Sequence, residues 1–173
     1  MLDLGALALP PPLFLRPERA DDLPLLRILF AYSRLRSLGM ADHAQLTSEW
    51  ESLLSQQFVA QQAHYANAFG ELQKLVLCRQ ADQTNRYEIG RVYLALEGRR
   101  VHLVDITLLS EWQNRGWGSA VINALQQFCR AQGYDISLQV DVSNPAFQLY
   151  QRLGFEVETE AHDGFYHHMA WYA

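Results

Sequence analysis

The stretch Glu111–Ala120 reads EWQNRGWGSA. The apolar run VHLVDITLL (101–109) precedes it, and VINALQQFC (121–129) follows. In the second run Val121, Ile122, Leu125, Phe128 and Cys129 recur at helical spacing. Two glycines and an arginine therefore stand at a corner where a strand turns into a helix. Such a corner leaves the first backbone N–H groups of the helix unpaired and carries partial positive charge. Gly116 and Gly118 have no side chains to keep an anion off the main chain, and Arg115 adds a cation nearby. A pyrophosphate suits that cradle. The pattern G-x-x-x-x-G-K-[ST] is absent, and G-x-G-x-x-G would need a glycine where Val121 stands. On spacing alone, Gly-Trp-Gly is equally compatible with a tight turn and nothing more.

Working outward, residues 1–12 read as an N-terminal tail ending in a triple proline, and residues 13–173 as one domain. LFLR (13–16) is a short strand. Asp21 or Asp22 can cap a helix running to about Leu38, with Leu25, Ile28, Leu29, Tyr32 and Leu35 on its apolar face. Ser48 and Glu51 form the S-x-x-E capping box of a second helix. LQKLVLCRQ, YEIGRVYLALE and VHLVDITLL, joined by short polar turns, predict an antiparallel meander.

The helix after the corner runs from about Trp117 to Gln132, where Gly133 ends it. The strand DISLQVDV follows that helical crossover, so it is expected parallel to VHLVDITLL. Asn144 and Pro145 open a short helix that Gly154 closes. FEVETE and FYHHMAWY, with a turn around Asp163-Gly164, complete a terminal hairpin. The order β-α-α-β-β-β-α-β-α-β-β predicts an α/β fold: a mixed, mostly antiparallel central sheet with helices on both faces.

At 173 residues the chain is long enough to bury about two-thirds of its unfolded surface. The formal net charge is −5 and the basic residues are scattered, which argues against nucleic-acid binding. Cys78 and Cys129 lie on different elements without C-x-x-C spacing, as expected of buried thiols in a reducing compartment. The opening MLDLGALALPPP lacks a basic leader, and no run approaches the ~18 apolar residues of a membrane span. A cytoplasmic protein with no membrane partner is expected.

The second constellation is VSNPAFQLYQRLGF (142–155), where Asn144 opens a helix and Tyr150 follows six residues later. Together the two motifs resemble the GNAT superfamily of N-acetyltransferases. The family's Q/R-x-x-G-x-G/A signature stands here as Gln113-Asn114-Arg115-Gly116-Trp117-Gly118. Its downstream asparagine-to-L-Y-x-x-L-G-F segment stands as Asn144 through Phe155, with the alanine displaced to Ala146. FLRPERADDLPLL looks like the family's first strand and helix, so the resemblance covers Leu13 to the C-terminus.

The resemblance implies acetyl-CoA as co-substrate, no metal, and an amine acceptor, either a small molecule or a protein amine, in a monomer or homodimer. The backbone at Ile106, Thr107 and Leu108 would hold the pantetheine arm, with an oxyanion stabilised near Leu108. Amides from Asn114, Arg115, Gly116, Trp117, Gly118 and Ser119, beside Gln113, would hold the pyrophosphate, and Asn144 would touch the pantetheine or its neighbouring backbone. Tyr150 matches the tyrosine that protonates the departing thiolate; core packing on its helical face is the competing role.

The general base is less defined. Histone-acetylating members carry a glutamate at the position of His102, and ribosomal-protein-acetylating members carry one where this chain has Gln139. Gln139 cannot be a base, whereas an imidazole titrates near neutrality. Asp105 is the odd carboxylate in an apolar strand, and strict alternation points it opposite to His102. His64, Tyr65 and Trp50 are expected as ordinary amphipathic residues bordering the acceptor cleft. Of the histidines His162, His167 and His168, the adjacent pair falls on opposite strand faces, which disfavours a metal. Without a clear base, a non-catalytic CoA-binding sensor or interaction module is the competing reading.

Overall fold

A computed structural model describes residues 2–39, 48–159 and 165–173. The strands β1 (Leu13–Pro17), β2 (Leu72–Gln80), β3 (Arg86–Glu97), β4 (Arg100–Leu108), β5 (Asp135–Asp141), β6 (Glu156–Thr159) and β7 (Tyr166–Trp171) form one sheet. Its spatial order is β1-β2-β3-β4-β5-β7-β6. Every neighbouring pair is antiparallel except β4 and β5, which the helical crossover makes parallel. The helices are α1 (Leu23–Ser37), α2 (Ser48–Ala68), α3 (Trp117–Gln132) and α4 (Ala146–Arg152). The turn at Asp163-Gly164, and His162, lie outside the described residues.

The main core lies between one face of the sheet and α3, with Val101, Leu103, Ile136 and Leu138 meeting Val121, Ile122, Leu125 and Phe128. Tyr150 of α4 joins the same core. The N-terminal stretch also packs there: Leu2 is 4% exposed, and Leu4, Leu7 and Leu9 lie against the core. The opposite face carries α1 and α2, which share a smaller cluster of Leu26, Phe30, Leu54 and Phe58.

Two expectations for these helices need correction. The buried face of α1 is Leu26, Leu29, Phe30 and Leu35, whereas Ile28 is exposed and Leu25 half-buried. Asp22 does not cap α1 through its side chain. Its carboxylate instead accepts from the Arg19 amide at 2.7 Å and from both terminal nitrogens of Arg16, at 2.6 and 2.8 Å. The Arg16 guanidinium holds the Asp22 carboxyl below the usual carboxylate range. As for α2, Ser48 is its first helical residue, and the residue before it lies outside the described stretch.

The strand that positions the site is β4, and a bulge shapes it. Opposite β3, Tyr93 pairs with Asp105 and Leu94 with Leu103, so Val104 is an extra residue. Bulging also resets the alternation. Val101, Leu103, Ile106 and Leu108 all face the α3 core. His102 and Asp105 share the other face, where they meet Phe69 and Tyr65 beside α2. The expectation that Asp105 points away from His102 is therefore overturned, because the sequence carries no mark of the bulge.

Candidate active site

A crevice opens inside the sheet at the bulge. Parallel pairing between β4 and β5 covers only Arg100–Leu103 against Asp135–Leu138. Beyond it, Val104–Leu108 have β3 on one side and, among the described residues, no strand on the other. The Leu109 amide donates to the Ile89 carbonyl at 2.9 Å, so alternation turns the polar backbone groups of Ile106 and Leu108 toward the crevice. Thr107 turns its carbonyl to β3 instead, where a Cβ on Gly90 would collide with it. An internal edge of this kind offers an extended ligand the hydrogen bonds of a missing strand.

The crevice leads to the glycine corner. A single 3-10 turn over Ser110–Trp112 reverses the chain, and Gln113 donates from its side-chain amide to the Leu108 carbonyl at 2.8 Å. Asn114 sits at φ +56° and Gly116 at φ +81°, left-handed conformations that swing the chain into α3. Across that entry the Ala120 amide reaches back to the Gly116 carbonyl at 3.0 Å. The amides of Trp117, Gly118 and Ser119 precede it and have no carbonyl one turn earlier. A Cβ at Gly116 or Gly118 would meet nothing within 4 Å, so both glycines border open space. Arg115 lies over the Trp112 ring at 5.4 Å, and Arg36 of α1 donates to the Gln113 side chain at 2.8 Å. This geometry fits the diphosphate of a nucleotide carrier.

Tyr150 lies in α4, within reach of the Asp105 charge, and Asn144 stands two residues before that helix. Tyr150 is 7% exposed and packs edge-on against Phe155 at 5.8 Å. Burial first, and then the Asp105 charge, push its phenol well above the usual tyrosine value, so it remains protonated. Asn144 uses its side-chain oxygen to accept from the Ala146 amide at 3.0 Å, leaving the NH2 group outward.

Asp105 is the hub of a buried network. Its Oδ2 accepts from Arg91 at 2.7 Å and from the Tyr65 hydroxyl at 3.1 Å, and its Oδ1 accepts from Thr107 at 2.7 Å. Arg91 also donates to Gln61 of α2 at 3.2 Å and stacks on the Tyr93 ring at 5.2 Å. The Tyr93 hydroxyl donates to Glu18. Burial and the Asp105 carboxylate raise the Tyr65 phenol, which keeps it a donor. Tyr65, expected as an ordinary amphipathic residue, thus ties α2 to the bulge.

On this face of the sheet a cavity of about 550 Å³ is lined by Tyr65, Phe69, His102, Ser137, Gln139 and Glu158, among others. His102 is fixed within it from two sides. The Ser137 hydroxyl lies 2.5 Å from Nδ1 and the Glu97 carboxylate 3.1 Å from Nε2. His64 also lines the cavity, whereas Trp50 does not. His167 stacks on Phe147 at 4.7 Å, and His168 turns to Gln139 at 3.5 Å, so the pair does face apart.

The Acetyltransferase (GNAT) family model matches residues 48–155, from α2 through the glycine corner to the end of α4. The chain belongs to the GNAT acetyltransferase family. L-amino acid N-acetyltransferase AaaT of Escherichia coli (strain K12) is 30% identical over 93 residues, which cover 50% of this chain. The match spans about half of that curated relative, 55% of its length. Among solved structures, the PaiA N-acetyltransferase from Thermoplasma acidophilum in complex with coenzyme A superposes with a TM-score of 0.65 at 15% identity, covering 93% of this chain and 99% of that one. Spermidine N-acetyltransferase from Vibrio cholerae, in complex with CoA and spermine, gives 0.58 at 21% identity, covering 93% and 95%. These two share the GNAT fold with this chain. Among the described residues no helix is long and apolar enough to cross a membrane.

Proposed function

We propose that this protein is an acyl-CoA-dependent N-acetyltransferase that moves an acetyl group from acetyl-CoA to a primary amine. The observation that carries this reading is the continuity of the crevice with the amide cradle. The unpaired edge at Ile106 and Leu108 suits an extended amide-bearing arm, and the corner at Asn114–Ser119 suits the diphosphate beyond it. Gln113 holds the turn between them through Leu108.

The thioester supplies the activated acyl carbon. A neutral amine attacks it, a C–N bond forms and the C–S bond breaks. The Leu108 amide, turned into the crevice, donates to the oxyanion, and Tyr150 donates a proton to the departing sulfur. Counted from the ammonium in which the acceptor arrives, the nitrogen gives up two protons, one before the attack and one after it. One restores the Tyr150 phenol and the other leaves through the His102 side of the cavity. Asn144 offers its NH2 group to the arm. Asp105, engaged by Arg91, Tyr65 and Thr107, acts as a positioning residue and not as the base.

Calorimetry of acetyl-CoA with the parent and with Gly118→Asp tests the cradle. The variant places a carboxylate in the open space beside the first helical turn, and its affinity should fall at least about ten-fold with the fold intact; equal affinities would remove the cradle. Release of free thiol over a panel of primary amines tests the activity. Free L-amino acids come first in that panel, because the AaaT relative is named for them, followed by diamines and N-terminal peptides.

A further inference from the structure

The cavity holds His102 and Gln139 and, around His102, a hydrogen-bonded chain of side chains suited to moving a proton. Ser137 of β5, His102 of β4 and Glu97 at the end of β3 lie in line across one imidazole ring. An ionised carboxylate can only accept, so the Nε2 nitrogen facing Glu97 carries the hydrogen. In the neutral ring, Nδ1 is then the acceptor and the Ser137 hydroxyl, 2.5 Å away, is the donor. Both ring nitrogens are thereby engaged, and neither lone pair is left for an incoming amine. All three residues line the cavity; Ser137 is the buried member at the inner end, and its hydroxyl, with two lone pairs, keeps acceptor capacity while it donates to the ring. Ser137 is 8% exposed, whereas the Glu97 side chain at the far end is 86% exposed.

We propose that Ser137, His102 and Glu97 form a proton relay in which the Ser137 hydroxyl is the group that takes the proton from the acceptor ammonium. This inference rests on the acetyltransferase reading above. In the step, an ammonium N–H bond breaks and its proton passes to Ser137 Oγ as the serine gives its own proton to His102 Nδ1. The ring becomes imidazolium, its Nε2 proton leaves through Glu97 to water, and proton exchange of the ring with solvent restores the Nε2–H form before the next turnover. No electrons are transferred, and the amine is left neutral for attack. The buried serine faces the acceptor, and the exposed carboxylate discharges the proton into solvent. The register supports the alignment, because His102 and Ser137 are direct partners in the short parallel segment of β4 and β5.

Two measurements test the relay. The first is ¹⁵N NMR of the His102 imidazole in the free protein, with His102→Gln used to assign its signals. The neutral ring of the parent should be the Nε2–H tautomer, and Ser137→Ala should shift it toward a mixture. A parent ring protonated on Nδ1 would overturn the relay. The second is steady-state acetyl transfer to the best amine of the panel. Ser137→Ala should lower kcat at least about ten-fold, the lower edge of general acid–base effects, with acetyl-CoA affinity unchanged. Ser137→Thr, which keeps the hydroxyl, should recover most of the loss. Full turnover by Ser137→Ala would place the base elsewhere and sink the proposal. Should the parent neither bind acetyl-CoA nor acetylate any amine, the acetyltransferase reading fails, and with it the catalytic role given to Ser137. The NMR result would still report separately whether the hydrogen-bonded chain exists.

Discussion

Tyr150 carries the sharpest single-residue expectation. Its ring fills core space against Phe155, while no hydrogen bond of its hydroxyl is found among the described residues. Tyr150→Phe therefore removes the proton and leaves the packing. Melting temperature and acetyl-CoA affinity should stay near the parent's, while kcat falls by about ten-fold or more; unchanged turnover on a good acceptor would leave Tyr150 a packing residue only. Asp105 behaves in the opposite way. Arg91 is 1% exposed, so Asp105→Asn strands a buried cation and should destabilise the fold by about 3–5 kcal/mol. Replacing both partners at once with apolar side chains, Arg91→Met together with Asp105→Leu, should cost much less. Urea denaturation decides between them, and a small loss in Asp105→Asn would show the pair is not what holds α2 to β4. The arginine in the middle of YEIGRVYLALE was a visible signal for this pair. Its partner could not be named from sequence, because pairing Arg91 with Asp105 depends on the register set by the Val104 bulge.

At the scale of elements, what the sequence made legible and what it hid have separate physical causes. α3 could be read from Trp117 to Gln132 because a strong apolar stripe is bracketed by glycines that both adopt positive φ. The meander was legible because its turns are short and polar, and the parallel pair because a helix separates its strands. By contrast, α1 packs on the sheet and on α2 together, so a single apolar face is the wrong template and Ile28, expected inward, is exposed. Bulges leave no compositional trace, so the shared face of His102 and Asp105 and the contact of Ser137 with His102 were out of reach. Gly90 shows how tightly the crevice wall is built. A methyl there would collide with the Thr107 carbonyl and come within 2.9 Å of the Leu108 side chain. Gly90→Ala should push β3 from β4 where the crevice begins, costing about 1–3 kcal/mol as overpacking does, and should weaken acetyl-CoA binding as well. Chemical denaturation and calorimetry read the two effects, and parental values in both would show that the wall yields freely.

Taken as a whole, the molecule has one large core and one small one, and the difference bears on how the cleft works. The α3 side is a continuous cluster that runs across most of the sheet, whereas α1 and α2 meet through four buried side chains, with Phe30 and Phe58 edge-on at 5.7 Å. Local stability follows buried apolar contact, so the α1–α2 layer should open at lower free energy than the sheet. That layer also supplies Tyr65 and Phe69 to the cavity wall and Arg36 to the glycine corner. Opening it would therefore loosen that wall of the cavity while the unpaired edge of β4 stays formed. Phe58→Ala isolates the effect, because it empties the centre of the small core without touching the sheet. Hydrogen–deuterium exchange should rise across α1 and the first half of α2, with α3 and β3–β5 as protected as in the parent. The second half of α2 should respond less, since Gln61, Gln62 and Tyr65 pin it to Arg91, Lys74 and Asp105. An equal rise over the whole chain would mean that the two cores unfold as one unit, and the cleft would then have no separately mobile wall.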